Sequence, residues 1–239
     1  MISIIIPAYR EEKRIESCLR SVAAQTYGRE RIETIVVDGD SPDRTREIAG
    51  KYADRVIRLK ERGVGRARNA GARAAGGEIL LFLDADTILD PSFVDRLVRF
   101  YSRRNVVCVS GALRAARSAK LKYRLYGFFH YRTVNAAMTA TALVGRPLFS
   151  AVCCSCRHWA FDELGGFDEA MAIGEDLKFS LGMGKLGRCA VCRGARAFTS
   201  MRRSEALGLW EGVMIFFRNY MKILYRKEKP WIDDFPHID

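Results

Sequence analysis

The acidic residues best placed for joint chemistry fall where apolar runs end. Ile79–Leu83 stops at Asp84-Ala85-Asp86, Ile35–Val37 at Asp38-Gly39-Asp40, and Ile2–Ile6 leads through Pro7-Ala8-Tyr9 to Glu11. Two carboxylates at i and i+2 with a small residue between them can reach one cation from an extended segment. Such hard oxygen ligands suit Mg²⁺ or Mn²⁺, which keep waters and bridge phosphate oxygens. Taken singly, an Asp at a strand end is explained as well by capping the next helix. Together at one sheet edge, carboxylates repel each other unless they hold a cation or donors. The set therefore points to a metal and nucleotide site.

The elements that position these acids alternate. Ile2–Ile6, Ile35–Val37, Arg55–Leu59, Ile79–Leu83 and Val106–Val109 read as strands. Helices are expected over Arg14–Gln25, from Asp43 as cap through Tyr52, over Gly65–Ala75, and from Pro91 to about Arg103. This order predicts an α/β domain: a mostly parallel, Rossmann-like sheet with helices on both faces. Ligands in such sheets bind outside the carboxyl ends of the strands, where the acids lie.

The length of 239 residues fits one large domain. The net charge of +12 calls for an anionic partner: nucleic acid, an anionic membrane or a phosphorylated substrate. No secretory leader is expected, because Ile2–Ile6 is short and lacks a basic lead-in. No transmembrane helix is expected either. The mid-chain stretch free of charged residues, Thr133–Gly145, falls short of the roughly 20 apolar residues a span needs. The seven Cys imply no disulfide framework. Cys153-Cys154-Ser155-Cys156 with Cys189 and Cys192 leaves a zinc site open, although buried thiols in strands are the simpler reading.

Five segments in order resemble family 2 glycosyltransferases, which have the GT-A fold: Ser3–Glu12, Ile35–Thr45, Gly63–Gly71, Ile79–Asp86 and Gly165–Asp176. The resemblance implies that Pro7, Ala8, Tyr9 and Glu11 line the nucleoside pocket and that Asp38 hydrogen-bonds the base. It puts Arg68 near the nucleotide and lets Arg66 help neutralise a diphosphate. Asp84 and Asp86 become the DxD element, with Asp86 the direct ligand of Mn²⁺ or Mg²⁺. Asp176, preceded by Glu175, becomes the general base, and Gly165–Asp168 shapes the acceptor side. An acceptor hydroxyl is a poor nucleophile and needs a carboxylate to take its proton. Like-charge coupling across Glu175-Asp176 would raise one pKa. The pair also suits a helix N-terminus, with a helix running to Lys185. Two departures stand out. Asp-Gly-Asp replaces the more usual Asp-Asp-Gly, which makes Asp40 a candidate turn residue. No late His offers a metal ligand; Arg202 or Arg203 can meet the diphosphate instead.

No acidic residue lies between Asp95 and Asp162, whereas twelve basic ones do, interleaved with Tyr123, Tyr126, Phe128, Phe129 and Tyr131. That composition suits a membrane interface, or single-stranded nucleic acid. Leu207, Trp210, Met214, Phe217, Met221 and Leu224 recur at steps of three and four, flanked by Arg218, Lys222 and Arg226. They mark an amphipathic helix that either packs on its own domain or lies on a membrane. The expected organisation is a catalytic domain over 1–204, with a nucleotide-sugar half to about 113 and an acceptor half from 114, followed by an amphipathic tail over 205–239. The expected activity is metal-dependent, inverting transfer from a UDP- or GDP-sugar to a membrane-associated acceptor such as a polyprenyl phosphate-linked species. The enzyme is expected at the cytoplasmic face of the cell membrane, on an anionic surface and with no nucleic acid partner. A sugar-phosphate nucleotidyltransferase and a nucleic-acid-binding module are the competing readings.

Overall fold

The computed structural model describes residues 1–116, 121–171, 173–202 and 205. In chain order the elements are β1 (Ile2–Ala8), α1 (Ile15–Ala23), β2 (Ile32–Asp38), α2 (Thr45–Ala49), β3 (Arg55–Arg58), α3 (Val64–Ala74), β4 (Ile79–Leu83), β5 (Thr87–Leu89), α4 (Phe93–Val98), β6 (Val106–Ala115), α5 (Leu121–Leu143), β7 (Cys153–Arg157), α6 (His158–Leu164), α7 (Glu175–Leu186) and β8 (Arg188–Thr199). Arg203 and the amphipathic pattern from Leu207 lie outside the described residues.

β1 is apolar almost throughout and takes the centre of a parallel block, with β2 and then β3 on one side and β4 on the other. Strand alternation sends Ile35 and Val37 toward Ala67 of α3, whereas Val36 joins the main core with Ile15 and Leu19 of α1. Gly71 lets α3 approach β1 closely: a Cβ there would stand 2.4 Å from the Ile5 Cγ2. Phe82 of β4 anchors the other end of the core against Phe161, Phe167 and Phe179.

The full order is β3-β2-β1-β4-β7-β6-β8-β5. β7 and β5 run against the others, so the expected parallel sheet becomes mixed beyond β4. These reversals shape the carboxyl edge. Ala8 pairs with Asp38, and Ile5 with Phe82, so Asp84 emerges about level with Pro7. β7 enters the sheet at this edge, and the Val152 carbonyl accepts from the Asp84 N–H at 3.2 Å. β5 pairs with the end of β8, Thr87 against Thr199, which brings Ser200–Arg202 beside Asp86.

Two helix starts differ from expectation. Asp43 does not cap α2; it accepts from the Thr45 N–H and hydroxyl in the preceding turn, and α2 spans Thr45–Ala49 only. α4 begins at Phe93, after a turn in which Asp90 accepts from the Ser92 N–H and hydroxyl. All seven Cys are free and buried, and Cys108 and Cys154 approach to 3.5 Å between their sulfurs. Among the described residues no group of three His, Cys, Asp or Glu is disposed to hold a metal, so the zinc alternative has no site there.

Candidate active site

The carboxyl edge collects residues from every part of the chain. Asp38, the last residue of β2, is fully buried and accepts the Ser41 N–H on both carboxylate oxygens, at 3.3 and 3.2 Å. Asp40 sits in the left-handed region, φ 61°, which turns its carboxylate to Arg58 at 2.7 Å. It is a turn residue, and Arg58 holds its carboxyl below the usual range. Tyr9 lies under the Arg62 guanidinium, 4.5 Å from ring centroid to Cζ.

Glu11 is buried, with its N–H bound to the Thr45 hydroxyl at 2.8 Å. Its Oε1 accepts from the Arg202 guanidinium. Its Oε2 has no hydrogen-bond partner, although Arg14 stands 3.6 Å away. Arg202 also reaches Asp86, at 3.3 Å. A cavity of about 310 Å³ opens there, lined by Asp86, Arg202, Lys13, Arg14, Ser17 and Ser200 among others.

Arg68 is the hinge of the site. Rooted on α3 and buried, it donates to Glu175 at 2.6 Å and to Asp84 at 3.0 Å, with its guanidinium 5.3 Å from the Phe167 ring centroid. It therefore ties the strand-end acids to the head of α7. Gly174 precedes that helix in the left-handed conformation, φ 81°, and Glu175 and Asp176 fill its first turn. Glu175 is buried, and burial followed by the neighbouring Asp176 pushes its carboxyl up to about 7, against the pull of Arg68. Asp176 is half-buried, and burial raises it too. Desolvation, more than the anticipated like-charge coupling, sets both shifts. The Asp176 oxygens accept from the N–H groups of Ala151 at 3.3 Å and Leu177 at 2.8 Å.

Arg66 lies elsewhere than Arg68. Its guanidinium is held by Glu61 and, at 3.2 Å, by Glu169. Motif reading gave no role to Asn69, yet it clamps the loop before α7: its amide donates to the Phe167 carbonyl and to Glu169, both at 2.9 Å, and accepts from the Phe167 N–H at 2.8 Å. A single amide side chain within the Ala-, Gly- and Arg-rich run Val64–Ala74 was the available signal. Ala151 acts through its backbone and left no signal in sequence.

Asp84 and Asp86 meet the needs of Mg²⁺ or Mn²⁺ in donor type, and no third His, Cys, Asp or Glu among the described residues completes a cluster with them. Mg²⁺ commonly takes only one or two carboxylates and completes its shell with phosphates and water, so the modest carboxylate count fits.

Residues 3–165 match the family model "Glycosyl transferase family 2". The glycosyltransferase AglE of Haloferax volcanii is 36% identical over 116 residues, which cover 46% of this chain and 38% of that protein. A dolichol-phosphate mannosyltransferase of Pyrococcus furiosus is 35% identical over 102 residues, covering 41% and 29%. The chain thus spans well under two thirds of these relatives. Among solved structures, TarS 1–349 of Staphylococcus aureus with UDP superposes at a TM-score of 0.68, with 22% identity, 83% of this chain and 60% of that one. A mannosyltransferase of Pyrobaculum calidifontis with GDP-Man and Mn²⁺ gives 0.67, with 22% identity, 82% and 56%. These likenesses support the GT-A type of fold, and the family match decides against the nucleotidyltransferase and nucleic-acid readings: the chain belongs to glycosyltransferase family 2.

Proposed function

We propose that the chain is an inverting, metal-dependent transferase that moves a sugar from a UDP- or GDP-sugar to a membrane-associated acceptor, such as a polyprenyl phosphate-linked species. The observation that carries this reading is the Arg68 bridge, which sets Glu175 against Asp84 at one sheet edge. It supports the reading by tying the head of α7, with Glu175 and Asp176, to the strand-end acids Asp84 and Asp86. Asp84 and Asp86 would hold Mn²⁺ or Mg²⁺, which offsets the charge that develops on the departing diphosphate. Asp38 would accept from the nucleobase once the Ser41 turn that covers its carboxylate opens, and Pro7, Ala8 and Tyr9 form the adjoining wall. Asp176 takes the proton of the acceptor hydroxyl. The N–H groups of Ala151 and Leu177 fix its orientation and leave lone pairs for that proton. Glu175 positions the head of α7 through Arg68.

The membrane part rests on α5. Leu125, Phe128 and Phe129 are exposed among Lys122, Arg124 and Arg132, and no acid is present on the helix. Apolar side chains framed by cations suit a helix lying in an anionic interface. No described helix is long and apolar enough to cross a membrane.

A thermal-shift panel of UDP-, GDP- and dTDP-sugars, each with Mn²⁺, Mg²⁺ or EDTA, tests the donor reading. Binding to the native state raises Tm by mass action, so one base should stabilise the protein only with metal present. Equal stabilisation in EDTA would overturn the metal dependence. Sedimentation with anionic and neutral vesicles tests the surface, and equal binding to both would overturn its electrostatic part.

A further inference from the structure

Arg202 lies where a divalent cation would compete with it. One guanidinium spans two acids from opposite parts of the chain, Glu11 after β1 and Asp86 after β4, the second at 3.3 Å. The placement is built in. Met201 is buried and lies against Gly127 of α5, and the Ser200 hydroxyl accepts the Arg202 N–H at 3.2 Å. The side chain is 18% exposed, and those of Glu11 and Asp86 are 8% and 13% exposed. In such a shielded place a dication and a guanidinium on one carboxylate repel each other strongly.

We propose that Arg202 is a resident counter-cation on Glu11 and Asp86 that couples metal binding to the nucleoside diphosphate. Resting on the metal-dependent reading above, it assigns Arg202 a positioning role toward that metal. While the guanidinium holds both carboxylates, a divalent ion alone meets a partly neutralised site and binds weakly. A diphosphate gives Arg202 a stronger anionic partner, through charge-assisted hydrogen bonds to its oxygens. The cavity beside Asp86, with Lys13 and Arg14 on its wall, has room for such a group. Asp86 is then released to the cation. By linkage, each ligand raises the affinity for the other by the same factor.

The test is a titration of the 239-residue chain with Mn²⁺, followed by the electron paramagnetic resonance signal of the free ion, alone and with UDP or GDP. Wild type should bind Mn²⁺ weakly alone and more tightly with one nucleotide. Arg202→Gln should bind Mn²⁺ alone more tightly and lose most of the nucleotide enhancement, by factors within the roughly 5–150-fold usual for coupled sites. Arg202→Lys, which keeps the charge, should stay close to wild type. Unfolding curves of the variants confirm that the fold survives. Unchanged or weakened Mn²⁺ binding by folded Arg202→Gln overturns the proposal and leaves the metal reading standing. No Mn²⁺ binding in any arm, nucleotide included, overturns both.

Discussion

Asp38-Gly39-Asp40 and Asp84-Ala85-Asp86 share one spacing, and both leave the carboxyl ends of parallel strands, yet only the second keeps its two acids turned into the site. In the first, Asp38 is buried under the Ser41 N–H, and the positive φ of Asp40 swings its carboxylate out to Arg58. In the second, Asp84 meets Arg68 and Asp86 meets Arg202, both inside the edge. The i, i+2 spacing makes a shared cation possible, and the first pair has a side-chain one: the Arg46 guanidinium stands 3.9 Å from both Asp38 and Asp40, whereas Asp84 and Asp86 are held by two separate arginines. The backbone between the acids, and the cations supplied by other elements, decide which charges each pair meets.

The largest effect expected from breaking this contrast is at Asp86. Asp86→Asn removes the charge that a divalent ion needs while keeping the shape. Metal ions contribute several kcal/mol to such transition states, so turnover should fall by about a hundredfold to a thousandfold. Turnover measured with and without EDTA checks this; a variant as active as wild type in Mn²⁺ would remove Asp86 from the metal site.

Next comes Asp176→Asn, expected to cost about a hundredfold or more in turnover with donor affinity little changed. The active form of a base is the unprotonated one. Because burial raises Asp176 and pushes Glu175 up to about 7, wild-type turnover should rise with pH through a limb above the usual carboxylate range and level off beyond it. The two acids titrate as a pair, so the limb reports both. A pH–rate profile flat across that range, or a more damaging Glu175→Gln, would move the base elsewhere.

Arg68→Gln acts on stability first. Removing one partner of a buried ion pair typically costs about 3–5 kcal/mol. Glu175, raised by folding, takes up a proton as the chain folds, so its contribution to stability falls as pH climbs from the usual carboxylate range to about 7. Without Arg68 the carboxyl rises further, and the penalty should be larger near pH 8 than near pH 6. Denaturant titrations at the two pH values, with the Arg68→Gln, Glu175→Gln double variant as control, measure it. A penalty that does not change with pH would separate Glu175 from Arg68 energetically.

Much of this was legible in sequence. The bounds of β4 coincide with an apolar run, β1 and β2 surround theirs, and the acids do sit at the carboxyl edge. The less legible parts depend on distant pairings. β7 is a Cys- and Ser-rich stretch with no alternation, yet its reversed entry delivers the Ala151 N–H to Asp176. β5 is three residues long and exists because β8 offers an edge. Arg68 and Glu175 are 107 positions apart, and charge alone could not have chosen Glu175 among the acids. α5 departs from an ordinary surface helix because its solvent side carries Leu125, Phe128 and Phe129 among Lys122, Arg124 and Arg132.

The smallest effect is expected at Asp40, and it sharpens the opening contrast most. If spacing alone made a cation site, Asp40→Asn would resemble Asp86→Asn. The structure gives Asp40 two jobs only: to adopt a left-handed φ of 61° and to meet Arg58, with Arg46 at 3.9 Å. Asn tolerates that φ nearly as well as Asp. The ion pair is exposed, and solvent screening leaves such pairs with little effect on stability. Asp40→Asn should therefore keep turnover within about twofold of wild type and leave the denaturation midpoint almost unchanged. Asp40→Val, with a β-branched side chain unsuited to positive φ, should destabilise more than Asp40→Asn. Strain at that turn would pass to Ser41 and so to Asp38, which makes nucleotide affinity the second readout. A large loss of turnover in Asp40→Asn with nucleotide affinity and stability intact would mean that the carboxylate itself takes part in the chemistry. The two Asp-x-Asp elements would then be alike in function as well as in spacing.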